Sequence, residues 1–105
     1  MLFVIDRDQF LSVFASVADA KAHLETIDIE ENEYEFCDES GQPYVGEVLK
    51  PVGTFTGGDF RIVPQGVPNL DLPLSFVARA KYYSSDVPSL KSLEDARSYL
   101  SRSKS

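Results

Sequence analysis

Residues 25–39 carry eight carboxylates, Glu25, Asp28, Glu30, Glu31, Glu33, Glu35, Asp38 and Glu39, without one lysine or arginine among them. An unpaired charge is too costly to bury, so each of these side chains demands water or a partner, and the apolar residues between them must find a core on the other side of the backbone. Glu33-Tyr34-Glu35-Phe36-Cys37-Asp38 meets that demand by alternation. Period two is the period of a half-buried strand, with Tyr34 and Phe36 facing one way and Glu33, Glu35 and Cys37 the other. Ile27-Asp28-Ile29 repeats the alternation and is expected to be extended as well.

The element before this segment is a helix. Ser16 stands three residues ahead of Asp19, the spacing of an N-terminal cap, and Val17, Ala20, Leu24 and Ile27 recur on one face of a helix over residues 17–26. A second helix is expected over residues 90–100, presenting Leu93, Ala96 and Leu100. Residues 16–24 and 92–100 align, with seven of nine columns matching in type and His23 falling in the column of Tyr99. Serine caps followed by aspartate favour this pattern in any helix, so convergence accounts for it better than duplication.

The remaining segments read as strands and turns. Leu2 to Phe14 mixes periods and holds one strand or two. Ser40-Gly41-Gln42-Pro43 is a turn, residues 44–52 are extended, and Gly57-Gly58-Asp59 should join Thr54-Phe55-Thr56 to Phe60-Arg61-Ile62-Val63 as a hairpin. Pro64, Gly66, Pro68 and Pro73 mark residues 64–73 as a loop. From Leu74 to Tyr83, Phe76, Ala78, Ala80 and Tyr82 alternate with Val77, Arg79, Lys81 and Tyr83 as in a strand. The expected fold is α+β: an antiparallel sheet of about five strands built from hairpins, with the two amphipathic helices packed on one face. A length of 105 residues fits one domain, 1–105, ending in a frayed tail at 101–105.

Charge then bounds the function. Residues 1–50 hold 12 acids against three bases, and residues 51–105 hold five acids against seven bases, so the halves carry −9 and +2 and the chain −7. Such a chain is repelled by nucleic-acid phosphates and by an anionic membrane surface; neither partner is expected. No apolar run nears the length of a membrane span, and Met1-Leu2-Phe3-Val4-Ile5 runs straight into Asp6-Arg7-Asp8 without a basic leader, which makes the cytoplasm the expected compartment.

No residue pattern builds a catalytic centre, a cofactor site or a metal centre, and the chain is expected not to be an enzyme. Cys37 is the only cysteine, so neither an internal disulfide nor a cysteine-based zinc site can form, and its acidic neighbours disfavour the thiolate. His23, the only histidine, has Asp19 four residues before it but no nucleophile to serve. Asp28, Glu30, Asn32 and Glu39 fall at calcium-loop positions, yet Glu33 occupies the place where the loop requires glycine. Thr56-Gly57-Gly58-Asp59 and Pro64-Gln65-Gly66 lack the lysine and the helix of a phosphate loop. Arg79, Lys81, Tyr82 and Tyr83 read as a solvated sheet face.

Taken together, Ser16-Val17, Ala20, Leu24-Glu25, Ile27-Asp28-Ile29-Glu30, Glu33-Tyr34-Glu35, Asp38 and Gly41 resemble a stretch found in small acidic bacterial proteins of uncharacterised function, some of them similar to immunity proteins of toxin systems. The resemblance spans residues 16–41 and implies no binding residues. On the residues themselves, the leading expectation is a protein-binding or inhibitory module, immunity-like, whose acidic Glu30, Glu31, Glu33 and Glu35 engage a basic partner. Three alternatives stand beside it: an acidic edge that only keeps the chain soluble, a ligand-binding or enzymatic domain using the 64–73 loop, and a structural or oligomeric subunit.

Overall fold

The computed structural model describes residues 1–53 and 57–103. The apolar opening stretch forms two antiparallel strands, β1 (Leu2–Asp6) and β2 (Phe10–Phe14), in a register that sets Leu2 opposite Phe14 and Ile5 opposite Leu11. Asp6 closes the turn between them, its carboxylate accepting from the backbone N–H groups of Asp8 and Phe10, and Gln9 takes a left-handed φ of 65°.

Ser16 caps α1 (Val17–His23) by accepting from the Asp19 N–H, and a second short helix, α2 (Thr26–Glu30), follows after a break at Leu24 and Glu25. Ile27-Asp28-Ile29 is therefore helical, not extended. Thr26 and Ile29, three apart, are the buried pair of α2, and Ile27 is left exposed. Next come β3 (Tyr34–Asp38), antiparallel to β1, then β4 (Pro43–Lys50) antiparallel to β3 and β5 (Asp59–Pro64) antiparallel to β4. The partner of β5 is β4, with Val45 opposite Val63 and Val48 opposite Phe60. The expected partner segment Thr54-Phe55-Thr56 lies outside the described residues.

The largest departure from the sequence reading is at residues 72–79. The segment expected as a strand is a helix, α3 (Leu72–Arg79), which begins after Asp71, with Pro73 in its first turn and Pro73, Phe76 and Val77 on its buried face. Only Tyr82–Ser85 is extended, as β6, and it pairs with β2 in parallel, Phe10 opposite Tyr82 and Val13 opposite Ser85. The chain then forms α4 (Leu93–Ser103), in which Ser92 repeats the capping role of Ser16 by accepting from the Asp95 N–H. The helix runs through residues 101–103, and the rest of the 101–105 tail, residues 104–105, lies outside the described residues.

The fold is α+β, with a mostly antiparallel sheet of six strands in the order β5-β4-β3-β1-β2-β6. Its helices cover both faces, not one. Alternate residues of β1 feed two separate cores: Leu2 and Val4 join Phe14, Phe36, Phe60 and Ile62 beneath α1 and α2, while Phe3 and Ile5 join Leu11, Val13 and Cys37 beneath α3 and α4. A central strand buried on both sides reads as a continuous apolar run, which is why Leu2–Ile5 shows no period of two. No described helix is long and apolar enough to cross a membrane.

Candidate functional site

The acidic segment is folded by the way α2 ends. The Asn32 N–H bonds to the Ile29 carbonyl at 3.0 Å and the Glu33 N–H to the Asp28 carbonyl at 3.2 Å, while Asn32 adopts a left-handed φ of 55°. This pair of bonds around a left-handed residue is the Schellman closure, in which the side chains standing here at Asp28 and Glu33 usually make an apolar contact. Here both are carboxylates. With Glu31 they form a trio in which one carboxylate oxygen from each residue lies within 4.8 Å of the others.

The charge of that trio is poorly relieved within the chain. Partial burial first, then repulsion from Asp28 and Glu31 and a hydrogen bond with Glu31, hold Glu33 above its ordinary value, with only Arg7 opposing. None of the three carboxylates is in an ion pair among the described residues; the four ion pairs use Glu39, Asp59, Glu47 and Glu35. Arg7 spends its guanidinium on backbone, donating to the Glu31 carbonyl at 2.5 Å, where it satisfies the end of α2 and the negative pole of its dipole. Asp28 also accepts from the Tyr34 hydroxyl at 3.2 Å, and burial, then Asp28, push that phenol up to about 12. A cleft of about 260 Å³ opens beside the trio between Ile5, Asp6, Arg7 and Asn32–Glu35.

Of the four glutamates expected to engage a partner, Glu31 and Glu33 are brought together and joined by Asp28. Asp28 carries the same signal as they do once the helix end is recognised: it lies three residues before Glu31, on the same turn. Glu30 turns toward the end of β4 and accepts from the Val52 N–H at 3.0 Å. Glu35 points to the opposite face of the sheet and pairs with Arg79 at 2.7 Å. The geometry of Asp28, Glu31 and Glu33 suits a hard divalent cation that keeps water on its open side. The calcium-loop positions set aside in the sequence are not brought together either, because residues 34–38 are strand and Glu39, at the far end of β3, bonds the Tyr99 hydroxyl.

The other candidate residues have structural roles. His23 donates from Nδ1 to the Asp19 carbonyl at 2.9 Å and lays its exposed ring on Phe14. Cys37 is buried beneath α3 and α4, and burial, ahead of Asp38, pushes its thiol up to about 12. Arg79 sits on α3 over the Phe76 ring, while Tyr83 turns inward and donates to the Leu90 carbonyl at 2.6 Å, so Arg79, Lys81, Tyr82 and Tyr83 share no sheet face. The 64–73 loop is a strap: Gln65 N–H to Pro43 carbonyl and Asn69 N–H to Gly41 carbonyl pin it to the β3–β4 turn. It does not line the acidic cleft, the cleft beside Ile29 and Tyr44 or the cleft beside Ile27 and Val52.

Comparison of the chain with protein-family models, with curated proteins and with solved structures finds no match to any of them.

Proposed function

We propose that the chain is a small protein-binding or inhibitory module, immunity-like in the sense of the resemblance over residues 16–41, that engages a basic partner through the corner where α2 meets β3. The observation behind this reading is the Asp28, Glu31 and Glu33 trio. A helix end that usually closes on an apolar contact closes on like charges, without an ion-paired lysine or arginine among the described residues. A guanidinium or ammonium from a partner would relieve that repulsion. The −9 charge of the first half would speed the encounter at low salt.

The test is a pull-down with the products of genes adjacent to its own, followed by titration of any partner at rising salt. Affinity should fall with salt, and Glu31→Lys or Glu33→Lys should weaken it by roughly tenfold or more, as loss of a close interfacial charge pair does. A partner indifferent to both salt and charge reversal removes the electrostatic reading.

A further inference from the structure

The exposed face of α2 carries an apolar residue in the middle of its acids. Ile27 is 44% exposed, with Glu30 and Glu31 three and four residues on, which places all three on one helix face, and Glu25 two residues before it. Ile27 also lines a cleft of about 480 Å³ that runs between the α1–α2 junction and the start of β5, walled by Leu24, Thr26, Val52 and Phe60. Val52, across the cleft, is 39% exposed and is held in place by its N–H bond to Glu30. Glu25 and Asp59 border the same cleft. The bases at hand are Lys21, which pairs with Asp59 at 3.2 Å and lies over the Phe60 ring, and Lys50, which acts on Asp59. Both gather at the Asp59 rim. The α2 side of the cleft, lined by Glu25 and bordered by Glu30 where its carboxylate accepts from the Val52 N–H, is left negative.

An apolar cleft with one acidic rim selects its occupant on two counts. An apolar side chain gains by leaving water, and the residues flanking it gain only if they are cationic. We infer that this cleft is the anchor pocket for the basic partner, taking one bulky apolar side chain between Ile27 and Val52 while flanking lysines or arginines meet Glu25 and Glu30. This rests on the proposed acidic-face function and adds to it the sequence character of the bound segment.

Three short synthetic peptides of equal length test this by NMR titration of the full chain: one alternating lysine with leucine, one lysine with serine and one glutamate with leucine. The lysine–leucine peptide should bind roughly tenfold tighter than the lysine–serine peptide, the gain expected from burying about one leucine, and should shift the amides of Leu24–Ile27 and Gly57–Phe60. The glutamate–leucine peptide should not bind. Ile27→Ser and Val52→Ser, both at exposed positions, should keep the dispersed spectrum and abolish the preference for leucine. Equal binding of the two lysine peptides, or shifts confined to other residues, overturns the pocket and leaves the acidic-face reading standing. Tight binding of the glutamate–leucine peptide overturns the cationic occupant, and failure of both lysine peptides overturns the pocket and the acidic-face reading together.

Discussion

Gly46 of β4 lies against the side chain of Ile29 on α2 so closely that a Cβ built on it would stand 2.7 Å from Ile29 Cγ2 and 3.1 Å from Cδ1. The missing side chain is what lets a five-residue helix sit down on the sheet and carry its acids to the corner. Gly46→Ala is therefore expected to destabilise the fold by about 1–3 kcal/mol, the usual range for overpacking. Urea denaturation would measure it, and Ile29→Ala in the same chain should be less harmful there than in the wild type, since it removes the clashing atoms.

Gly41 is a stricter case. Its φ is +87°, and a Cβ would fall 1.9 Å from the Asn69 carbonyl oxygen, which is backbone and cannot rotate away. Strain and overlap together should make Gly41→Ala cost about 2–4 kcal/mol and loosen the 64–73 strap. Gly57, with nothing within 4 Å of the same built atom, is the control: Gly57→Ala should leave the melting temperature nearly unchanged. Equal effects at the two positions would show that the strap contact is not what Gly41 serves.

Glu33 is held above its ordinary value of 4.5 in the folded state. Folding thus favours the protonated carboxyl, and the stability linked to it is complete below 4.5 and lost as pH rises through the folded value. Glu33→Gln, which carries no charge to repel Asp28 and Glu31, should melt higher than the wild type at neutral pH. Melting curves across a pH series should show the advantage shrinking toward zero as pH falls below 4.5. An advantage that persists in acid would point to a cause other than charge.

Cys37, buried and pushed up to about 12, is expected to be inert. A thiol reagent at mildly alkaline pH should leave the native chain unmodified and label it stoichiometrically once denaturant is added. Rapid labelling without denaturant would mean that the core beneath α3 and α4 opens readily.

The sequence alone determined those elements whose residues obey a single local rule. Ser16 and Ser92 each cap a helix through an aspartate three residues on. Phe36 and Glu35 alternate because Phe36 enters the core beneath α1 and α2 while Glu35, on the other face of β3, reaches solvent beside Arg79. The α+β class follows from such pieces. Residues 72–79 obey two rules at once: Phe76, Ala78 and Ala80 keep a period of two, while Pro73, Phe76, Val77 and Ala80 keep the spacing of a helix face. The helical start at Asp71 and Pro73 is the local signal that separates them.

Tertiary structure decided everything that depends on residues far apart in the chain. Nothing local to Tyr82–Ser85 dictates pairing with Phe10–Val13, and nothing local to α1 and α4 places them on opposite faces; those outcomes follow from burying both sides of β1 at once. The acidic segment divides in the same way. Its charge is written in the sequence, but Asn32 turning left-handed is what gathers Asp28, Glu31 and Glu33, and strand pleating is what sends Glu35 to the other face. Charges along a chain add without regard to direction, whereas a surface depends on where each side chain points, and that is set only when the backbone has folded.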